Sequence, residues 1–351
     1  MIEKEGNRLK PEQVVKRYEN AKSRKDLFED LYREAYDYAI PQRQLYSYWE
    51  GNSVGQKKMQ KVFDSTAIHS TQRFANRLQS GVFPPQRMWC RLEPGNTVPQ
   101  ELRSQVQAKL DEFRDIMFSV IRQSNFDIAI GEFLLDVAVG TGAMLVQPGD
   151  NGTPIEFTPV PLFLLCYEEG ANGQIDKIYR RLRIKGETIQ QQWRDAKLSE
   201  NLQQKIMRRP SEEIELIEAT MLDYERGDWC YHLIVHDQKE EIVYRRLNGN
   251  PWVISRYMKV AGEIYGRGPL LTAMPDIKTL NKTKQLLLQN ATLAVMPAFT
   301  AQDDGVLNPH TIKIVPGSII PVARNGGSQG ESLKPLPRAG DFNVSQLVIS
   351  D

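Results

Sequence analysis

The stretch GRGPLLTAMPDIKTLNKTKQLLLQNATLA, residues 266–294, contains a long predicted helix that decides the fold. Pro269 suits the first turn of a helix, because the N–H group that proline lacks has no partner there. The apolar positions on one face of this helix follow helical spacing: Ile277, Leu280, Leu287, Ala291 and Ala294. Pro275 either kinks the helix or marks its real start. Pro297 ends it.

Polar residues occupy the rest of this helix. Lys278 and Lys282 are one turn apart and share a face, while Lys284 lies to the side. Asn281 is expected to add to the polar surface. Taken alone, the pattern indicates an amphipathic helix with a solvated lysine face.

The chain before this helix divides into a helical part and a strand-rich part. Helices are predicted over residues 14–39, after the N-cap at 64–66, over 98–120 and over 127–139. Gly81 suits the left-handed position after the second of these helices. The stripe over 98–120 is the strongest, and we expect all four apolar stripes to bury in a core.

From residue 143 to 258 the apolar period changes towards two, which is typical of strands. Strands are predicted over residues 143–147, 155–159, 162–167, 177–184, 214–224, 230–236, 242–247 and 252–257, with a helical insert over 187–209. Short turns rich in Asn and Gly separate them. The pattern predicts an α+β fold with mostly antiparallel strands.

After Pro297 the sequence predicts short strands over 298–301, 311–315 and 319–323. A new helix is expected to start near residue 341, but the sequence stops before that helix would be complete. We therefore expect that a longer polypeptide exists.

The composition excludes several classes of protein. The chain has 351 residues, with 45 Lys+Arg against 44 Asp+Glu and a net charge of +1. This balance excludes a strongly basic nucleic-acid clamp. No apolar run approaches the ~20 residues that a membrane-spanning helix needs. The 3 cysteines are scattered and fit reduced thiols better than a disulfide framework.

No catalytic constellation, cofactor motif or metal site is predicted. His232 and His236 lie on a predicted strand, where they would be too far apart for one metal ion. The Gly-Arg-Gly at residues 266–268 resembles a phosphate-loop fragment, but its third glycine and preceding parallel strand are missing. Asp303 and Asp304 precede a glycine and fit a surface turn.

Two motifs, in this order and spacing, resemble the portal proteins of short-tailed phages, the head-to-tail connectors. The first comprises VFDSTA (residues 62–67), LQSGVFPP (78–85) and Trp89. The second comprises YGRGP (265–269) and AMPDIKTLN (273–281). Neither motif is catalytic, and the resemblance extends over nearly the whole chain.

The resemblance implies a subunit made of a wing, a stem, a clip and a crown. Residues 1–265 would form the wing, with helices over 11–140 and a strand-rich part over 141–265. Residues 266–294 would form the first stem helix, 295–340 a small β-rich clip, and 341–351 the start of a truncated second stem helix. The crown has no counterpart in this sequence.

The resemblance also implies a function. Portals are ring oligomers, dodecameric in the virion, at one capsid vertex, and double-stranded DNA is packaged and ejected through their channel without sequence-specific recognition. The expected partners are other copies of the chain, the terminase large subunit, tail or adaptor proteins, the scaffold and the major capsid protein, with no membrane. The ring would assemble in the host cytoplasm. The ATPase belongs to the terminase, so neither enzyme activity nor a cofactor is expected.

The resemblance suggests two sets of site residues. Stem helices can face the channel, which makes Lys278, Lys282 and Lys284 candidates for contacts with DNA phosphates. Lys278 and Lys282 could equally pair with carboxylates of a neighbouring subunit. The clip candidates for docking are Asp303, Asp304, Arg324 and Asn325.

Two alternatives come from other classes of protein. A phage-encoded metal-dependent nuclease or hydrolase would need clustered carboxylates or histidines, and the candidates are scattered along the sequence. A membrane-penetrating ejection protein would need strongly apolar helices with a basic face, whereas the long helices here are charge-balanced.

Overall fold

The computed structural model describes residues 8–43, 61–85, 87–149, 152–295, 299–301 and 333–335. The α-helices are α1 (Pro11–Ala39), α2 (Thr66–Val82), α3 (Arg103–Gln123), α4 (Phe126–Val139), α5 (Gly186–Gln192), α6 (Glu200–Arg208) and α7 (Pro269–Val295). The strands are β1 (Thr141–Pro148), β2 (Ile155–Pro159), β3 (Leu165–Glu169), β4 (Ile175–Lys185), β5 (Glu213–Asp223), β6 (Asp228–Val235), β7 (Glu240–Leu247), β8 (Trp252–Arg256), β9 (Phe299–Ala301) and β10 (Leu333–Pro335).

All strand pairs of the described residues are antiparallel. A five-stranded sheet has the order β3-β4-β5-β6-β7, a three-stranded sheet has the order β2-β1-β8, and β9 pairs with β10. Four helices precede the strands, and α5 and α6 interrupt them between β4 and β5. Helices combined with purely antiparallel sheets confirm the predicted α+β class.

The five-stranded sheet is covered on one side by the first helix. The first half of α1 buries its apolar residues against this sheet, because its stripe and the alternating side chains of the strands are both apolar there. The shared cluster contains Val14, Val15, Tyr18, Ala21, Cys166, Tyr179, Ile217, Ala219, Met221 and Ile234. A second cluster joins this sheet to α5 and α6, and it includes Ile189, Trp193, Leu202, Leu216 and Leu233.

The three-stranded sheet packs against α4, which also contacts α2. Their common core contains Ala75, Phe126, Ala129, Ile130, Phe133, Leu134, Val137 and Met144. Aromatic rings close one end of this core, where Trp89 lies 5.2 Å from Phe118 and 5.0 Å from Phe83 between ring centroids. Trp89 of the first motif is therefore a half-buried residue that packs at the edge of this core.

The chain divides into two compact units. The first comprises Met1–Lys61 and Ser65–Met274, and the second comprises Val62–Asp64 and Pro275–Asp351. Pro275 lies inside α7, so it does not mark the start of that helix. The wing, stem and clip boundaries stay predictions.

The structure corrects several local predictions. Gly81 lies within α2 and has no positive φ, so it is not a left-handed cap. The insert over 187–209 is two short helices, and the predicted strand over 162–167 begins as a 3-10 turn at Leu162–Leu164. The predicted strands over 311–315 and 319–323 and the helix from 341 lie outside the described residues.

The strongest predicted stripe is only partly buried. Phe118 is the one side chain of α3 that is fully enclosed, while Phe113 and Ile116 are 60% and 58% exposed. Within the part of the chain that the structure describes, no helix is long and apolar enough to cross a membrane.

Candidate functional site: the glycine junction and the anchor of the long helix

Three glycines bring the end of α4 against the start of α7. Gly140 follows α4, and Gly266 and Gly268 precede α7. The backbone N–H of Gly268 donates to the carbonyl of Val139 at 2.9 Å, and the N–H of Tyr257 donates to the carbonyl of Gly140 at 2.9 Å. We call this backbone contact the glycine junction.

The close approach explains why these positions are glycine. A Cβ atom on Gly268 would lie 2.6 Å from the carbonyl carbon of Val139, and one on Gly140 would lie 2.8 Å from that of Gly266. Contacts below 3.0 Å from a Cβ to backbone atoms require the backbone to shift. Glycine is needed here because it has no side chain, not because of an unusual φ.

Buried hydroxyl groups complete the junction. Tyr32 donates its hydroxyl proton to the Gly266 carbonyl at 2.8 Å, and the Gly266 N–H donates to Thr141 Oγ1 at 3.0 Å. Burial, the largest cause, raises the pKa of Tyr32, so its hydroxyl stays a neutral donor. Tyr265 is also buried, and its ring centroid lies 4.5 Å from that of Tyr167.

This geometry shows that the Gly-Arg-Gly motif is structural. The N–H groups of Gly266, Arg267 and Gly268 all have partners inside the fold, the second one on the carbonyl of Met258 at 2.9 Å. A phosphate loop needs backbone N–H groups that are free to face its ligand. The motif instead fixes the residue from which α7 starts.

A separate contact within the second unit anchors α7 to the start of the first motif. Asn281 is only 6% exposed, and its Oδ1 accepts the backbone N–H groups of Phe63 at 2.7 Å and Asp64 at 3.1 Å. Lys284 Nζ lies 2.5 Å from the carboxylate of Asp64. The expectation that Asn281 is a surface residue is therefore wrong, because two backbone donors need its amide oxygen.

The predicted site residues have different surroundings. Lys278 and Lys282 are exposed on α7, one turn apart, and Lys282 donates to Gln285 Oε1 at 3.0 Å. Lys284 is half-buried against Asp64. The clip candidates Asp303, Asp304, Arg324 and Asn325 lie outside the described residues.

The histidines of the five-stranded sheet do not come together at one site. His232 Nδ1 lies 2.5 Å from Glu241 Oε1, and His236 Nδ1 lies 3.4 Å from Glu215 Oε1. Burial alone would raise the pKa of Glu241, but hydrogen bonds from His232 and Arg8 hold it below its usual value. Each contact links one strand of the five-stranded sheet to its neighbour.

One group of side chains has the spacing of metal ligands. Ligand atoms of Asp223, Asp228 and Cys230 lie within 4.8 Å of one another. The guanidinium of Arg246 donates to Asp223 at 2.6 Å and to Asp228 at 2.8 Å, and it lies 3.8 Å from the Cys230 sulfur. Arg246 thus already supplies the positive charge that a metal ion would bring to these three side chains. This favours a structural cluster over a metal centre.

Sequence reasoning missed two of the central residues. The sequence predicts a helix that ends at residue 139, just before Gly140, and it places Asn281 on the polar surface of a helix. Their partners are distant in sequence, with Asn281 separated from Phe63 by 218 positions. The only local signal is an asparagine inside a helix. Asparagine has a low helix propensity, so its presence there indicates a contact with another part of the fold.

Comparison with known proteins shows which family model and which proteins the sequence of this chain is similar to. A family model described as "Bacteriophage head to tail connecting protein" matches residues 12–351. The portal protein of Enterobacteria phage T3 is 21% identical over 299 residues, which cover 82% of this chain and 54% of the relative. The portal protein of Escherichia phage T7 is 20% identical over 350 residues, which cover 94% of this chain and 61% of the relative. The chain therefore spans less than two-thirds of the length of either relative.

Proposed function

The chain belongs to the bacteriophage head to tail connecting protein family, and from this premise we propose that it is a structural subunit of a phage portal ring. The family match over residues 12–351 carries the proposal. The ring stands at one vertex of the capsid in the virion after assembly in the host cytoplasm, and it is a dodecamer of the chain. The proposed role is to enclose the DNA during packaging and ejection.

The charge of the chain supports a conduit. Each phosphate that a protein neutralises adds salt-dependent affinity, and many such contacts would hold the DNA in place. With 45 basic against 44 acidic residues, the chain encloses DNA without binding it tightly. Lys278 and Lys282 are exposed on α7, Lys284 is half-buried beside Asp64, and all three are the proposed channel residues.

The proposed function is not enzymatic. Among the described residues, the one group with ligand spacing is closed by Arg246, and each sheet histidine pairs with its own carboxylate. The nucleotide chemistry of packaging would belong to a separate terminase, which docks on the clip before the tail proteins. Asp303, Asp304, Arg324 and Asn325 are the proposed docking residues. Scaffold and major capsid protein would contact the ring inside the head.

Native mass spectrometry and electron microscopy of the purified protein test the proposal. We expect closed rings with a central channel and no cleavage of plasmid DNA in Mg²⁺. A monomer that cleaves DNA only when a divalent cation is present would overturn the proposal in favour of a nuclease.

A second experiment tests the lysine candidates. Duplex DNA binding by the assembled protein is measured at several salt concentrations, for the wild type and for Lys278→Ala, Lys282→Ala and Lys16→Ala. Each lost phosphate contact should reduce the slope of log K against log salt by about 0.9. Lys16 is exposed on α1 and serves as the control. Equal slopes for all four proteins would contradict a channel position of the lysines.

A further inference from the structure

The exposed side of α2 carries no acidic residue. Arg73 and Arg77 lie one turn apart on this side, and both are exposed. The side chains around them all form hydrogen bonds readily, and all are exposed. We call the resulting surface the α2 face, and it consists of His69, Ser70, Gln72, Arg73, Asn76 and Arg77.

The stretch of sequence that contains α2 is basic, although the chain as a whole is nearly neutral. Residues 65–92 include four arginines and no Asp or Glu, whereas the whole chain has one acidic residue in about eight. Within the part of the chain that the structure describes, no carboxylate forms an ion pair with Arg73 or Arg77. The positive charge of the α2 face is therefore not compensated by the described fold.

The stability of α2 does not explain the two arginines. Like charges one turn apart destabilise a helix slightly. A basic side chain interacts favourably with the helix dipole near the C-terminus, but this effect is confined to the last turn, and the last turn of α2 contains no basic residue. Arg73 and Arg77 thus gain their main stabilisation from an anion outside the described fold.

The composition of the α2 face indicates which kind of anion it contacts. Arginines, side-chain amides and hydroxyl groups are the donors that hold phosphate oxygens in complexes with nucleic acids. Tyr257 adds a phenol at the border of the face, where it is 50% exposed and its ring centroid lies 5.9 Å from that of Phe74.

An acidic protein surface fits the α2 face less well. A contact between proteins has a core of aromatic or aliphatic side chains, and the six residues of the α2 face include none. The apolar residues Ala67, Ile68 and Ala75 are buried on the opposite side of the helix. Interfaces with nucleic acids are more polar and more positively charged than those between proteins, so the α2 face favours a nucleic acid.

We propose that the α2 face is a contact site for the phosphate backbone of duplex DNA. Arg73 and Arg77 pair with phosphates, and the neighbouring amides and hydroxyl groups donate hydrogen bonds to phosphate oxygens. The inference rests on the proposed function in one respect, because that function makes duplex DNA the nucleic acid that the protein meets. The site is separate from Lys278 and Lys282, since α2 belongs to the first compact unit and these lysines belong to the second.

The contact is weak in one copy and is repeated in the ring. Two arginines neutralise few phosphates, so a single copy binds DNA weakly and its affinity depends on salt. In a closed ring every copy presents the same surface, and the contacts of several copies then add to one another. Contacts with phosphates alone position the duplex without reading its sequence.

Removal of the two positive charges tests the site. Arg73→Gln with Arg77→Gln keeps an amide at each position, and Arg73→Lys with Arg77→Lys keeps the charge. The control, Lys16→Gln with Lys22→Gln, removes two exposed charges from α1. All four positions are exposed, so the fold should be retained, which circular dichroism checks. Fluorescence anisotropy measures the binding of a random-sequence duplex to the full chain from about 50 to 200 mM salt.

The glutamine variant should reduce the slope of log K against log salt by at least about 1.8, because each lost phosphate contact contributes about 0.9. Between about 50 and 200 mM salt, the affinity of this variant should therefore fall at least about tenfold less than that of the wild type. The lysine variant and the control should keep the wild-type slope.

Photocrosslinking locates the contact without removing either arginine. The crosslinking residue p-benzoylphenylalanine replaces Gln72 or Asn76 on the α2 face, or Ser23 on α1 as the control, and all three positions are exposed. Irradiation should link positions 72 and 76 to the duplex, and position 23 should give only background. Equal yields at all three positions would overturn the inference.

The outcomes separate this inference from the proposed function. If the wild type forms rings and the glutamine variant keeps the wild-type slope, the DNA site is wrong and the ring stands. If the glutamine variant keeps that slope but no longer forms rings, the α2 face binds an acidic protein surface and the inference is overturned. A control that loses as much slope as the glutamine variant also overturns it. If the wild type stays monomeric and the glutamine variant alone loses slope, the DNA site stands and the proposed ring is wrong.

Discussion

Replacement of Gly268 by alanine should destabilise the protein more than the small size of the added methyl group suggests. The added Cβ would lie 2.6 Å from the carbonyl carbon of Val139 and closer still to the carbonyl oxygen of Ala138. Both neighbours are backbone, so no side-chain rotation relieves the contact. The end of α4 or the start of α7 has to move by about 0.9 Å to lengthen this carbon–carbon distance to the ~3.5 Å of an ordinary contact.

The expected cost has two parts. Overpacking of a tight core site costs about 1–3 kcal/mol. The shift also strains the hydrogen bonds from Gly268 to Val139 and from Gly266 to Thr141, and each such bond contributes about 0.5–1.5 kcal/mol. A loss of about 4 kcal/mol corresponds to a fall of roughly 8–16 °C in the unfolding midpoint for a unit of this size.

Differential scanning calorimetry of the wild type, Gly268→Ala and Gly81→Ala measures this effect. Gly81 is the matched control, because it lies in a helix and a Cβ there would meet no atom within 4 Å. Since alanine is the better helix former by up to ~1 kcal/mol, Gly81→Ala should keep or slightly raise the midpoint. A Gly268→Ala midpoint within 1 °C of the wild type would refute the steric argument.

Three further predictions concern stability. Asn281→Leu should lower the free energy of unfolding by about 2–4 kcal/mol in urea titrations, since two buried N–H groups lose their acceptor, whereas the exposed Gln289→Leu should change it by less than about 0.5 kcal/mol. Because folding lowers the pKa of Glu241 below its ordinary value of 4.5, its carboxylate stabilises the fold at pH values above 4.5, and this contribution is lost as the pH falls through the lowered pKa. Unfolding midpoints measured from pH 7 to 3 should therefore decrease less steeply in Glu241→Gln, and parallel curves would contradict the prediction. In monomeric protein, thermal unfolding should show that Phe118→Ala costs about 3–5 kcal/mol and that Phe113→Ala costs almost nothing.

Local patterns in the sequence predict most of the elements. The strand predicted over 155–159 coincides with β2, and the helix predicted over 127–139 differs from α4 by one residue at its start. Alternation, helical spacing and turn residues are all encoded within a few positions. These signals suffice to identify an α+β fold.

Burial depends on partners that local patterns do not reveal. The stripe on α3 predicts a buried face, yet Phe113 is 60% exposed, because none of the elements that the structure describes packs over it. Asn281 shows the reverse error, since a polar residue is enclosed by a segment from the other end of the sequence. Strand β10 was not predicted, and its pairing with β9 is also non-local.

The sequence reveals one part of the glycine junction and not the other. The motif at residues 265–269 stood out through its glycines and proline, but nothing local pairs it with Gly140. Residue 268 has to be glycine because a Cβ atom there would clash with the backbone of residues 138 and 139. This close approach exists only in the folded chain.

The glycine junction has a consequence for the order of folding. Gly266 is separated by 234 positions from Tyr32 and by 125 from Thr141, both of which it contacts. At about 5–20 residues per second, α4 and β1 leave the ribosome roughly 6–25 s before the glycines that complete the junction. During that interval the end of α4 lacks its final backbone partner. The first unit therefore finishes folding only when the beginning of α7 has been synthesised. The glycine junction is one of the last contacts of this unit to form during translation.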